Sequence, residues 1–266
     1  MSISTEPLVE VRDLQIVFPS RAGLTSAVNG ISFEIGQEKL GIVGESGSGK
    51  SVTCRALLGL IAPPARVSAS TMRLFGDDYA HARPSAFSAV RGCKMGLIMQ
   101  DPRYSLNPVA TIGTQIEEGL YLQRGLRGAA ARAEGLRLLD AVALREPQRV
   151  WTSYAHQLSG GMGQRAMIAM MLAMEPALLI ADEPTSALDV TVQVEILALL
   201  ERLVKDRGMA LLLVSHDLRM VEGFCDRVIV MHQGHIVDQC RASELSHSVH
   251  PYTRGLLNCV PALAAT

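Results

Sequence analysis

The stretch KLGIVGESGSGKSVTCRALLGL, residues 39–60, decides the fold. It opens as an apolar run of strand length and closes with apolar residues at helical intervals, so GESGSGKS at 44–51 sits between a strand and a helix. That is the setting in which G-x-x-x-x-G-K-[ST] binds phosphate. Gly44, Gly47 and Gly49 let the backbone wrap closely, so that successive N–H groups of the loop, through Glu45, Ser46 and Ser48, point at phosphate oxygens. The helix N-terminus adds its positive dipole end. Lys50 is placed to neutralise the β and γ phosphates of a nucleotide and Ser51 to set its hydroxyl on Mg²⁺. A plain Gly/Ser turn would not require that lysine.

A second apolar strand, ALLIA at 177–181, ends in Asp182 and Glu183. Adjacent residues at a strand's carboxyl end point in different directions, so one acid can hold the metal shell and the other face an attacking water. Asp182 is the metal candidate and Glu183 the general base. Alone, such a pair is commonly a solvated surface; downstream of a phosphate loop, the chemical reading prevails.

Further apolar runs at 14–18, 31–35, 96–99, 210–214 and 228–231 read as strands, and helical periodicity marks 52–60, 192–204 and 218–224. The alternation predicts an α/β chain with sheet strands covered on both faces. From 102 to 173 the strand signal disappears and residues 129–144 read as an amphipathic helix, which predicts a helical subdomain inserted between core segments 1–101 and 174–244. Residues 245–266 read as a short tail.

Of 266 residues, 48% are hydrophobic, and 25 Lys+Arg against 26 Asp+Glu leave a net charge of −1. The apolar share invites a membrane reading, but the richest run, 166–174, stops at Glu175-Pro176, short of the roughly 20 residues a spanning helix needs. Glu6, Glu10 and Asp13 stand where a signal peptide needs a basic start and an apolar core, so a cytoplasmic chain is expected. Cys54, Cys93, Cys225, Cys240 and Cys259 show no zinc-ligand spacing. Mixed, near-neutral charge argues against nucleic acid as the main ligand.

Between the phosphate loop and the acid pair, LSGGMGQR at 158–165 opens a helical run. It resembles the signature loop of ATP-binding cassette (ABC) proteins. Four further elements stand in that family's order: Gln100 after the strand MGLIM, Asp182-Glu183, SALD at 186–189, and His216 after ALLLVS. The resemblance covers most of the chain. It implies a P-loop NTPase (RecA-like) core with a mostly parallel sheet, an antiparallel β region and an inserted α-helical subdomain. It also implies a head-to-tail pair of such domains, each ATP lying between one subunit's phosphate loop and the other's signature loop. Ser159, Gly160 and Gly161, which by themselves would read as a helix cap, then offer a hydroxyl and N–H groups to the γ phosphate. By the same resemblance Gln100 meets the metal beside Ser51 and Asp182, His216 contacts the γ phosphate, and Asp189 shapes the dimer interface. Lys50, Glu183 and His216 form the implied catalytic set. Two positions depart from the common signature: Met162 stands where many members have Gln, and Gly163 where Arg often follows. The aromatic that stacks on adenine is unassigned, since Phe18 reads equally well as core.

GIVGESGSGKSVT, MQDPRYSLNP, ADEPTSALDVTVQ and HPYTRGLL together resemble the ATP-binding subunits of oligopeptide, dipeptide and nickel importers. This implies a second ATPase subunit, identical or related, two membrane permeases, an extracytoplasmic solute-binding protein, and a peripheral position on the cytoplasmic face of the inner membrane. Residues 101–108 read either as a dock for a permease helix or as an ordinary Pro-rich loop. Only Cys259 lies beyond His250, so no iron–sulfur cluster is expected, and His232, His235, His247 and His250 read as solvated or structural. The rival expectations are a soluble ABC ATPase of nucleic-acid repair or translation, and an exporter motor.

Overall fold

The computed structural model describes residues 6–20, 23–186 and 188–259. The strands are β1 (Val9–Ser20), β2 (Gly23–Ile35), β3 (Lys39–Val43), β4 (Arg66–Ser68), β5 (Thr71–Leu74), β6 (Asp77–Asp78), β7 (Met95–Ile98), β8 (Leu178–Asp182), β9 (Ala210–Ser215), β10 (Arg227–His232) and β11 (His235–Arg241). The α-helices are α1 (Lys50–Leu57), α2 (Ile112–Arg124), α3 (Gly128–Ala141), α4 (Pro147–Thr152), α5 (Gly160–Leu172), α6 (Val190–Arg207), α7 (Leu218–Phe224) and α8 (Pro251–Cys259). They fall into two compact units, one of the described residues up to Ser88 and from Ala210 onward, the other Ala89–Met209.

The first unit holds an antiparallel sheet and a parallel one. In the former, β1 pairs with β2, β4 and β5, and β5 with β6. In the latter, β3 lies between β10 and β9, all parallel, and β11 adds an antiparallel edge to β10. β9 is buried along its whole length, which is why ALLLVS has no polar alternation to read. Helix α7 comes so close to β3 that a Cβ on Gly41 would lie 2.3 Å from Val221 Cγ1. At the base of this sheet Arg227 makes a two-pronged ion pair with Glu38, at 2.7 and 3.1 Å.

In the second unit β7 and β8 pair in parallel and the rest is helical. Helices α2, α3 and α4 meet at Trp151, which is 7% exposed. A Cβ on Gly135 of α3 would lie 2.1 Å from its ring, and one on Gly113 of α2 2.4 Å, so both glycines are required by close packing. Helix α5 buries Ala166, Met167, Ile168 and Ala169 in succession, beyond what one apolar stripe supplies.

The helix expected at 218–224 is found with those limits, and that at 192–204 extends to α6, capped by Asp189 and ended by Gly208 at φ +59°. The helix read at 129–144 ends at Ala141 because Ala143 takes φ +55°. Strands β4, β5, β6 and β11 are additions to the sequence reading. They are short, exposed or edge strands whose residues need not be apolar, as Arg66–Ser68, exposed throughout, illustrates. The segment read as a tail carries helix α8. No helix among the described residues is long and apolar enough to cross a membrane.

Two outcomes follow from this packing. Alanine for a helix-interior glycine ordinarily gains up to ~1 kcal/mol, but Gly135→Ala, facing Trp151, is expected to lose about 1–3 kcal/mol in denaturant unfolding. For Glu38, burial works to raise the carboxyl pKa, but the hydrogen bond from Arg227, that from Gly36 N–H, and the guanidinium charge outweigh it and hold it below its ordinary value. A lowered folded-state pKa stabilises above the unfolded value, and the contribution disappears as pH falls through the folded one. Glu38→Gln should therefore cost about 1 kcal/mol at neutral pH, after allowance for solvent screening. The gap to wild type should close below pH ~4 in a pH series of unfolding curves.

Candidate functional site

The phosphate loop leaves β3 at Val43 and enters α1 at Lys50. Its backbone is pressed against two neighbours. A Cβ on Gly44, at φ +149°, would lie 2.1 Å from the Met231 carbonyl oxygen, and one on Gly49, at φ +103°, 2.6 Å from that of Ala27. Both positions need glycine for space as well as for backbone angle. The turn between β10 and β11 braces the loop at the buried Ser48. Gly234 N–H donates to the Ser48 carbonyl at 3.1 Å, and Asn29 ties the turn to β2 through Gly234 and Gln233 carbonyls.

Lys50 is 4% exposed, and its ammonium donates to the Gly44 and Glu45 carbonyls at 2.8 and 2.7 Å. The charge is thus held over the loop's own curve, where it can meet phosphate oxygens. Glu45, Ser46 and Gly47 face solvent, and Ser51 is half-buried in the first turn of α1. His216 follows β9, exposed. The backbone after it is fixed by Asp217, whose N–H donates to Ser215 Oγ at 2.9 Å and whose carboxylate caps α7 through Met220 N–H at 3.0 Å.

The second unit carries the other candidate residues. Asp182, 8% exposed, ends β8, and Glu183 follows at φ +49°. A non-glycine residue in this left-handed region stores strain of about 1 kcal/mol or more and is concentrated at functional sites. Its turn is held by Ser186, whose N–H and hydroxyl donate to the Glu183 carbonyl at 3.3 and 3.2 Å. Gln193 of α6, the last residue of ADEPTSALDVTVQ and given no role of its own by the sequence, donates its amide to the Thr185 and Leu188 carbonyls at 3.0 and 3.2 Å. Asp189 caps α6 through Val192 N–H at 3.0 Å, so it has a local task besides the one the resemblance implies.

Ser159 caps α5 by accepting from Met162 N–H at 3.4 Å. Gly161 lies against the start of α6: its Cβ would be 2.9 Å from Val192 Cγ1. Gly163 is buried, and its Cβ would meet Pro102 at 3.2 Å, so the small residue lets α5 sit on the turn after Gln100. Arg165 fixes the helix sideways, donating to the Val142 carbonyl at 2.9 Å and pairing with Glu195 at 2.7 Å. Gln100 is exposed beyond β7, and together with Leu106, Ser159, Gly160 and Leu188 it borders a cavity of about 380 Å³. The segment after Gln100 is shaped by Gln115 of α2, buried at 8% exposure, which accepts from Asn107 N–H at 2.8 Å and donates to the Ala110 carbonyl at 3.1 Å. A lone amide on an otherwise apolar helix face was the available signal for Gln115, because an amide can serve donor and acceptor groups at once.

The chain is similar to known proteins over nearly its whole length. Residues 28–186 match the family model described as ABC transporter. The oligopeptide transport ATP-binding protein OppD of Salmonella typhimurium is 44% identical over 258 residues, 96% of this chain and 77% of its own. Among solved structures, a dimeric ATP-binding cassette in a post-hydrolysis state bound to ADP and Pi is similar at TM-score 0.77 and 26% identity, covering 88% of this chain and 98% of that one. Another, cbiO1 from Clostridium perfringens, part of an ABC transporter complex, gives TM-score 0.75 at 26% identity and covers 96% of each chain. The chain belongs to the ABC transporter family, as one of its ATP-binding and ATP-hydrolysing subunits.

Proposed function

We propose that this chain powers an ABC importer of the peptide and nickel type, and that its cargo is a peptide, nickel or a metal chelate. The observation that carries the chemistry is the phosphate loop: a backbone curve with Lys50 drawn over it at the head of α1. The import direction is supported by a relative from Brucella melitensis described as a putative peptide import ATP-binding protein, 43% identical over 99% of this chain. The reading includes a second ATPase subunit, two permeases, and an extracytoplasmic solute-binding protein that presents the cargo. The chain then lies peripherally on the cytoplasmic face of the inner membrane.

In this reading the loop's N–H groups and Lys50 bind and orient the phosphates of ATP, and Ser159, Gly160 and Gly161 serve the ATP of the partner subunit. Glu183 orients and deprotonates the hydrolytic water, while His216 senses the γ phosphate. Ser51, Gln100 and Asp182 supply a hydroxyl, an amide carbonyl and a carboxylate. Those hard oxygen donors fit Mg²⁺, an ion that keeps several of its waters and takes few protein ligands. When bound, Mg²⁺ offsets the charge on the β and γ phosphate oxygens. Closing ATP between two subunits excludes water other than the one Glu183 holds.

Glu183→Gln removes the base and keeps the shape. It is expected to lower turnover by at least about 100-fold while ATP still binds, leaving an ATP-bound dimer visible by size-exclusion chromatography. Wild-type hydrolysis in that variant would remove Glu183 from this role. The importer reading is tested by reconstituting the chain with its permeases and measuring ATP hydrolysis as binding protein loaded with peptide, nickel or metallophore is added. Stimulation by one cargo class is expected; hydrolysis indifferent to every loaded binding protein would refute import.

A further inference from the structure

The string HPYTRGLL forms the start of α8, and hydroxyl groups anchor it. Thr253, fully buried, donates to Asp238 Oδ2 on β11 at 2.8 Å, and Ser248 Oγ bonds the same oxygen. His250 N–H donates in turn to Ser248 Oγ at 3.2 Å. With the helix held there, the Tyr252 ring packs on His232 at the end of β10, with centroids 4.0 Å apart and 35° between planes. Its hydroxyl oxygen accepts the N–H of Glu45, in the phosphate loop, at 3.3 Å, so this N–H is turned to Tyr252 and not, as expected from the sequence, to phosphate. The Glu45 carbonyl accepts from Lys50 at 2.7 Å and from Ser48 N–H at 3.2 Å. Glu45 is therefore gripped on its N–H side by α8 and on its carbonyl side by the lysine assigned to phosphate.

A loop that binds anions through its backbone depends on the orientation of each peptide plane. Glu45 is exposed and the neighbouring Ser46 and Gly47 are too, so the loop's tip has little packing of its own to hold those planes. The β10–β11 turn braces the buried side at Ser48, and Tyr252 supplies the brace at the exposed side. We infer that Tyr252 is a positioning residue of the nucleotide site: by holding the Glu45 peptide it sets the loop for ATP, so that α8 tunes nucleotide affinity. This rests on the reading of residues 44–51 as the nucleotide loop.

The test uses the full chain and Tyr252→Phe, which keeps the ring on His232 and removes the acceptor. Titration with the fluorescent analogue TNP-ATP and steady-state ATP hydrolysis are read beside thermal melting without nucleotide. The expected result is a Kd for TNP-ATP and a KM for ATP raised about two- to tenfold, the loss of one hydrogen bond. Both kcat and melting temperature should stay close to wild type, since a merely structural role would lower them together with affinity. Wild-type Kd and KM in Tyr252→Phe would overturn the inference, and so would a loss of affinity accompanied by a lower melting temperature and kcat. Failure of the wild-type chain itself to bind TNP-ATP would instead overturn the nucleotide reading of the loop, and the inference with it.

Discussion

The close approach of backbone to backbone around residues 44–51 is the constraint on which the first unit is organised. Gly44 lies against the Met231 carbonyl and Gly49 against that of Ala27, so the loop is confined between the β10–β11 turn and β2. Neither position admits a side chain, and a curve of N–H groups can be kept only while both neighbours stay in place. The parallel pairing of β3 with β10 puts Met231 there, and the bonds from Asn29 to the Gly234 and Gln233 carbonyls hold β2 beside the same turn. Lys50, nearly buried at the head of α1, completes the arrangement by bonding to the loop's carbonyls. Burying an ammonium is costly unless it is hydrogen-bonded, and here the same bonds that stabilise it aim it.

The second unit solves a different problem. Two helix N-termini, those of α5 and α6, must present their ends and remain rigid. Each has a side-chain cap, Ser159 and Asp189, and the two meet where Gly161 touches Val192. Arg165 and Gln193 then lock the surroundings, one by reaching the Val142 carbonyl and Glu195, the other by holding the Thr185 and Leu188 carbonyls. The strain at Glu183 persists because that turn is over-determined by Ser186 and Gln193. Gly163, a departure from the common signature, packs against Pro102, where a Cβ would come within 3.2 Å.

Much of this was legible in the sequence where the physics is local. The strand, loop and helix around Lys50 follow from apolar periodicity and glycine placement within one stretch. The cap at Ser159, which the sequence suggests by itself, reaches only three residues ahead. Edge strands such as β4 and β11 were not legible, because a strand open to solvent carries no apolar requirement. Gln115 and Gln193 serve carbonyls only five and eight residues away, but which carbonyls they reach depends on the turn geometry before each helix, which apolar periodicity does not record. HPYTRGLL was conspicuous as a string, but nothing in its own residues told what it touches.

The sequence by itself determined the family, and with it the chemistry proposed for residues 44–51, since both rest on residue types at fixed short spacings. Only the tertiary structure decided what steadies that site. Tyr252 meets Glu45 across 207 residues, and Asn29 meets Gln233 across 204. Such contacts arise from the order and direction in which strands pair, and no local pattern of apolar and polar residues records them. They are also what turns a flexible glycine-rich segment into an oriented array of N–H groups.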